Sequence, residues 1–185
     1  MPDRQAFAAI VYILRTGIQW NALPRERGAS STVHDRLQEW EAAGGGGALW
    51  QAGLTEYDEL SGIEWEWQAA DGAMTKAPFG GAATGANPTD RGKRGVERSL
   101  RVDGVGIPLS MVVDGANRRD SKLLAVTLDR LIVARPEGNH HLCLDAGGTG
   151  PAVEKIVTAR GYTAHMRPRG EARWDHTRMD RPADG

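Results

Sequence analysis

The sequence predicts an α/β fold in which a mixed sheet with flanking helices follows a small helical region. Two observations lead to this prediction. Residues 1–60 repeat apolar side chains at the spacing of one helix face, whereas short runs after residue 63 alternate apolar and polar side chains, as strands do. The second half then places helical stretches between apolar strands, an order typical of sheets that contain parallel strands. We therefore expect two regions of different architecture.

Three short helices are predicted in the first 60 residues. The first repeats apolar residues from Phe7 to Leu14 and is expected to end at Gly17. The second has Val33 and Leu37 on its apolar face, and a third precedes residue 60. Three short helices, with a tight turn before the second, are typical of a helix-turn-helix module.

Strands and helices alternate after residue 60. The predicted helices begin near residue 120 and at residue 151, and the predicted strands cover 63–71, 99–103, 108–114, 140–145 and 163–167. This order matches the ribonuclease H-like fold, an antiparallel three-stranded meander extended by parallel strands. In that fold the first and fourth strands are neighbours. Because Asp71 ends the first and Asp145 ends the fourth, we expect the two carboxylates to lie side by side.

Two carboxylates at neighbouring strand ends suit a metal site. Like charges held together repel unless a cation lies between them, and Mg²⁺ prefers oxygen ligands. Two such ions can activate a nucleophile and stabilise the leaving oxygen of a phosphodiester. Asp71 and Asp145 are therefore candidate catalytic residues and ligands of Mg²⁺ or Mn²⁺. The residues alone also allow a turn-capping role for both, and we assign that role to Asp103 and Asp114.

Composition narrows the class of protein. The single cysteine, Cys143, cannot form an internal disulfide, which favours a reducing compartment. No run approaches the roughly 20 apolar residues of a membrane helix. We therefore expect a cytoplasmic protein without a membrane partner. The net charge is only −1, but residues 90–101 carry five bases against two acids, a local charge of +3 that suits a polyanion.

Several ordered blocks resemble the insertion-sequence-five group of DDE transposases. The segment Asn87–Gly95, with the sequence NPTDRGKRG, resembles a signature loop of that family. The other blocks are residues 3–24, 31–40, 71–78, 102–109, 116–120 and 142–145. The resemblance runs from about Asp3 to Arg169. It implies metal-dependent cleavage and strand transfer of double-stranded DNA at terminal inverted repeats by a homo-oligomer, with Asp71 and Asp145 as two of three catalytic acids.

The resemblance also implies DNA contacts and domain boundaries. Arg91, Lys93 and Arg94 in the signature loop are expected to contact phosphates, and Arg36 and Gln38 on the second helix are candidate DNA contacts. We expect a helical DNA-binding region at residues 1–60, an incomplete ribonuclease H-like catalytic domain at residues 61–169 and a divergent, disordered tail at residues 170–185.

The chain departs from the family in its third acid, a glutamate that the family carries on a later helix within a block rich in arginine and tryptophan. That block has no counterpart here, and Glu171 has the neighbours of a loop residue. We therefore expect a shortened chain that has little or no transposition activity by itself. A non-catalytic DNA-binding fragment, or a repressor of the parent element, is the alternative.

Two remoter interpretations stay open. The segment Asp145–Thr149 also resembles the phosphate-binding turn of sugar kinases and actin-like ATPases, but a helix that begins with proline follows it where those proteins have a hairpin. His140, His141 and Cys143 suggest a zinc site, but adjacent strand residues point to opposite faces, so the two histidines do not ligate together easily.

Overall fold

The structure is a computed structural model that describes residues 1–118, 120–145 and 150–166. The chain divides into two compact units, Met1–Glu56 and Tyr57–Gly185. Residues 146–149, which form most of the suggested phosphate-binding turn, and the predicted tail of residues 170–185 lie outside the described residues. Within the described ranges, no helix combines the length and apolar composition needed to cross a bilayer.

The first unit is helical, as predicted. Helix α1 covers Asp3–Thr16, α2 covers Ser30–Ala42, and α3 (Gly45–Leu60) extends past the boundary between the units. Helix α1 ends at Gly17, whose φ of 67° lies in the left-handed region that glycine adopts without strain. Two short 3-10 turns separate α1 from α2, so this connection is longer than the three- or four-residue turn of a helix-turn-helix. The core of the unit consists of Ala9, Ile10, Ile13, Leu23 and Val33.

The second unit is a six-stranded mixed sheet. Its strands are β1 (Trp67–Lys76), β2 (Gly85–Ala86), β3 (Arg94–Asp103), β4 (Pro108–Gly115), β5 (His140–Leu144) and β6 (Tyr162–Met166). The main order is β4–β3–β1–β5–β6, and β2 pairs with the start of β3. Strands β1, β3 and β4 are antiparallel, whereas β5 and β6 run parallel to β1. This is the predicted ribonuclease H-like strand order.

The sheet has one covered face. Helices α4 (Asp120–Asp129) and α5 (Pro151–Thr158) connect β4 to β5 and β5 to β6. Their apolar residues Leu124, Leu128 and Val157 pack with Leu142 and Tyr162 of the sheet in one core. Side chains that point the other way are largely exposed, among them Trp67, Asp71, Arg98, Met111 and Val113. We call this second side the exposed face.

Two strand predictions need correction. Strand β1 begins at Trp67 rather than at residue 63 and continues to Lys76, so Asp71 lies inside the strand and not at its end. Strand β3 begins at Arg94 rather than at residue 99. Both differences have one cause, because residues 72–76 of β1 pair with residues 95–99 of β3 and extend the hairpin.

The predicted fourth helix also ends early. Helix α4 stops at Asp129, whereas the apolar spacing continued to Ile132. The backbone N–H of Ile132 donates instead to the carbonyl of Leu109 in β4, which takes this segment out of the helix.

A charged residue occupies the covered face. Arg101 on β3 is fully buried, and its guanidinium donates hydrogen bonds to the Gln68 side-chain oxygen, the Tyr162 hydroxyl and the Leu128 carbonyl. Burial lowers the pKa of Arg101 below its ordinary value. These acceptors satisfy a cation that would otherwise be costly to remove from water.

Candidate active site

Strands β1 and β5 bring the two predicted aspartates together. Their parallel register pairs Gln68 with Leu142 and Ala70 with Leu144, so Asp71 and Asp145 are the next residues along the two strands. Both aspartates are exposed. Strand β5 ends at Leu144, whereas β1 continues to Lys76. Among the described residues, none pairs with β1 on this side beyond Ala70, so the two aspartates stand where the β1–β5 ladder ends.

A small cleft forms where this ladder ends. Its volume is about 150 Å³, and Asp71 and Asp145 both line it. Glu97 and Ser99 of β3 and Ser121 of α4 add polar groups, while the other lining residues are mostly apolar. The cleft therefore combines carboxylates, hydroxyls and a largely apolar wall.

Glu97 is a lining residue that we did not predict from the sequence. Its side chain is only 3% exposed, and it lies beside Gly72, where an added Cβ would approach the Glu97 carboxylate oxygen to 3.0 Å. The glycine next to Asp71 thus leaves room for this carboxylate. The alternation of buried residues along β3 could have located Glu97, but only if β3 had been predicted to begin at Arg94.

The described carboxylates do not form a complete metal cage. Within residues 1–118, 120–145 and 150–166, no group of three His, Cys, Asp or Glu side chains has the geometry to hold a metal ion. Asp71 and Asp145 offer two oxygen donor groups at neighbouring register positions, which suits a hard cation that keeps several of its waters.

Two other Asp-Gly pairs are structural. One carboxylate oxygen of Asp103 accepts hydrogen bonds from the N–H groups of Val105 and Ile107, and the other accepts from that of Glu64. Asp114 forms a 2.8 Å ion pair with Arg118. The turn role assigned to Asp103 is confirmed. Asp114 instead lies within β4 and is ion-paired, so it is a natural control for the candidate metal ligands.

The basic signature loop lies at the far end of the β1–β3 hairpin. Arg91, Lys93 and Arg94 are exposed around the turn that joins β2 to β3. Lys76, which pairs with Gly95, lies five positions after Asp71 in β1, so the loop begins about 17 Å along the strand from Asp71. The loop and the aspartates belong to one sheet but not to one cleft.

The predicted DNA contacts of α2 differ from each other. Arg36 forms ion pairs with Asp3 at 3.7 Å and Glu39 at 3.1 Å, so two carboxylates already share its charge. Gln38 is exposed. Both residues belong to the first unit.

The suggested zinc site is not formed. His140 is buried, and its ring nitrogens lie 2.9 Å from the carbonyls of Trp65 and Pro136. His141 points to the opposite face, as predicted, where its Nδ1 lies 2.9 Å from Nε2 of His165. Cys143 is exposed, and partial burial raises the pKa of its thiol. Both histidine rings therefore have other partners.

Comparison with known families matches both parts of the chain. A family model with the description "putative transposase of IS4/5 family" matches residues 1–50. A second model, the transposase DDE domain, matches residues 67–182, which is more than half of the chain. The latter range contains Asp71, Asp145, Glu97 and the basic loop.

Individual relatives match over part of their length. The chain is 32% identical over 88 residues to the insertion element IS402 uncharacterized 16.2 kDa protein of Burkholderia cepacia. The match covers 46% of this chain and 60% of that protein. Two structures of the Mos1 transposase, a paired-end complex with the left transposon end and a strand transfer complex, align at 13% identity. They cover 89% of this chain and 59% of theirs, with a TM-score of 0.37.

Proposed function

Because the chain belongs to the DDE transposase domain family, we propose that it acts as the transposase of an insertion sequence, which cleaves DNA at terminal inverted repeats and joins the ends to a target. The observation that carries this proposal is the register of β1 and β5, which makes Asp71 and Asp145 neighbours in one cleft. Ligands of open α/β sheets bind where strands end in this way.

We assign Asp71 and Asp145 as catalytic residues and as ligands of Mg²⁺ or Mn²⁺. DDE domains in general depend on divalent metal ions. When bound, a pair of such ions activates the attacking oxygen and stabilises the leaving oxygen of the phosphodiester. The two aspartates would hold the ions at the cleft that both of them line, and the β1–β5 pairing keeps the carboxylates in place.

Double-stranded DNA is the proposed partner, both as element ends and as target, and a homo-oligomer is the proposed form on DNA. The exposed cations Arg91, Lys93 and Arg94 support this choice because phosphate contacts require charge and access but no base readout. Gln38, and more weakly the ion-paired Arg36, remain proposed contacts of the helical unit.

The test is cleavage of a plasmid that carries the terminal inverted repeats of the insertion sequence. Because the sequence has no counterpart of the family's third acid, we expect little or no strand transfer and at most weak nicking in Mg²⁺ or Mn²⁺, and we expect that nicking to be lost in Asp71→Asn and in Asp145→Asn. Asp114→Asn is the matched control, since this aspartate precedes a glycine, as Asp71 does, but is paired with Arg118, and it should retain the activity. Cleavage that persists in both site variants would contradict the proposal.

A second candidate function is DNA binding without catalysis, as a repressor of the parent element. It is favoured by the finding that no third ligand joins Asp71 and Asp145 within the described residues. Binding to the terminal repeats without nicking in either metal would establish this function in place of the first.

A further inference from the structure

Arg98 lies on the same face of the sheet as Asp71, one of the two candidate metal ligands. Asp71 pairs with Leu100, and Arg98 pairs with Ala73, so Asp71 and Arg98 are diagonal neighbours across β1 and β3. Residues related in this way have Cα atoms about 7–8 Å apart, within reach of a long side chain. Arg98 is exposed, like Asp71, on the exposed face.

The charge of Arg98 is not neutralised by its neighbours. Its partners across the sheet are Ala73 of β1 and Val113 of β4, which are small or apolar. Within the described part of the chain, the Arg98 side chain forms no hydrogen bond or ion pair. By contrast, Arg118 and Arg160 are ion-paired with Asp114 and Asp129. Arg98 is thus an accessible cation beside a pair of carboxylates.

A DNA phosphate is the ligand that this arrangement fits. A guanidinium binds two phosphate oxygens at once through its parallel N–H groups, and it keeps its charge at every physiological pH. A strand whose reacting phosphate is held at Asp71 and Asp145 would bring an adjacent phosphate over Arg98. The residue would then fix the position of the strand without reading its sequence.

Further cations continue in the same direction along β3. Residues on one face of a strand recur about every 7 Å, so Arg94 follows Arg98 at about 13 Å on the exposed face. The exposed residues Lys93 and Arg91 of the basic loop come next. These residues form a line of positive charge that leads away from the carboxylate pair.

We propose that Arg98 is a positioning residue that binds the DNA phosphate next to the reacting one, and that the strand follows the exposed face of β3 toward Arg94 and the basic loop. The inference deepens the proposed function and rests on it, because it requires DNA to be held at Asp71 and Asp145. If Arg98 were only a solvated arginine, its effect on DNA affinity would not depend on whether Asp71 is intact.

The test is a double-mutant cycle on DNA binding by the full chain. Fluorescence anisotropy measures the affinity for a short duplex of arbitrary sequence in Ca²⁺, which takes oxygen ligands and replaces the catalytic ion. In the wild-type background, Arg98→Ala should weaken binding about tenfold and lower the slope of log K against log salt by about 1. Arg98→Lys should retain the slope but lose part of the affinity, because a point charge replaces the planar fork.

The effect of Arg98→Ala in the Asp71→Asn background distinguishes a residue that positions the DNA at the metal site from one that attracts DNA by its charge alone. We expect Ca²⁺ to increase the DNA affinity of the wild type, and Asp71→Asn should abolish this increase. In the Asp71→Asn background, Arg98→Ala should change the affinity threefold or less, roughly within the additive error of distant sites. Arg130→Ala is the matched control, since Arg130 is exposed just after α4, and it should leave affinity unchanged.

The outcomes are distinguishable. If Asp71→Asn removes the Ca²⁺ enhancement but Arg98→Ala binds like wild type, the inference is wrong and the proposed function stands. An equal effect of Arg98→Ala in both backgrounds also overturns the inference, since Arg98 is then a general surface contact. If Asp71→Asn leaves the Ca²⁺ enhancement intact, the proposed metal site itself fails.

Discussion

Tyr162 and Arg101 form the polar centre of an otherwise apolar core. The Tyr162 hydroxyl accepts a hydrogen bond from the buried Arg101 guanidinium, and Arg135 lies 4.2 Å from the centre of the Tyr162 ring. A buried cation that loses an acceptor bears the full cost of desolvation at that position. The tyrosine is therefore important for stability, although it lies outside the candidate site.

The change Tyr162→Phe should lower the free energy of unfolding by about 1.5–3 kcal/mol, because it removes one acceptor from a buried charge. Urea unfolding followed by circular dichroism measures the difference. Tyr57→Phe, at a half-buried tyrosine of α3, is the control and should change stability by less than about 0.5 kcal/mol. Equal stability of the two variants would mean that the Tyr162 hydroxyl does not support Arg101.

Single residues also explain why part of the site was not predicted. Glu97 and Arg101 point toward the covered face, where charged residues are rarely found. The charge of Glu97 favours a solvated loop when the sequence is considered alone, and only the pairing of residues 95–99 with β1 places it in a strand. Arg101 lay within the predicted strand 99–103, but its charge gave no indication that it would be buried. Asp71 and Asp145, in contrast, follow apolar runs that predict buried strands.

At the scale of elements, the basic loop is the feature that connects the fold to DNA. The backbone N–H of Asn87 donates a hydrogen bond to the carbonyl of Lys93 and closes a compact turn. Within this turn, Arg91 adopts a φ of 51°. The turn is held by backbone atoms, so the cationic side chains are available to a ligand. Neutral replacements at Arg91, Lys93 and Arg94 can therefore test their charge without removing the turn.

We expect the combined change Arg91→Asn, Lys93→Gln and Arg94→Gln to flatten the salt dependence of DNA binding. Asparagine suits the left-handed backbone at residue 91. The slope should fall by about 0.9 for each phosphate that the loop no longer binds, and so by nearly 3 if all three cations bind DNA. The exposed triple Lys122→Gln, Arg130→Gln and Lys155→Gln controls for the same loss of three positive charges. An unchanged slope would show that the loop is only a solvated surface.

The strand order followed from the sequence because alternation and apolar runs are local signals. Strands β4, β5 and β6 and helix α5 lie close to the predicted positions. The lengths of β1 and β3 did not follow, because they depend on a pairing between segments that are far apart in the chain. The short β2 was also missed. It depends on pairing with β3, and the glycines around it indicate a loop when the sequence is considered alone.

At the scale of the whole molecule, two units agree with two family matches. The match to residues 1–50 lies inside the first unit, and the match to residues 67–182 lies inside the second. The chain spans about 60% of the length of the curated relative that it matches. Asp71 and Asp145 both lie in the second unit, so a metal-binding assay on this chain tests the candidate site within that unit.

Titration with Mn²⁺, followed by electron paramagnetic resonance of the free ion, tests the central claim most directly. The claim is that Asp71 and Asp145 together hold a divalent metal ion on the sheet. We predict saturable Mn²⁺ binding by the full chain, strongly weakened in both Asp71→Asn and Asp145→Asn and unchanged in the control Asp114→Asn. Saturable binding of equal strength in all four proteins would contradict the claim, and so would the absence of saturable binding by the wild type.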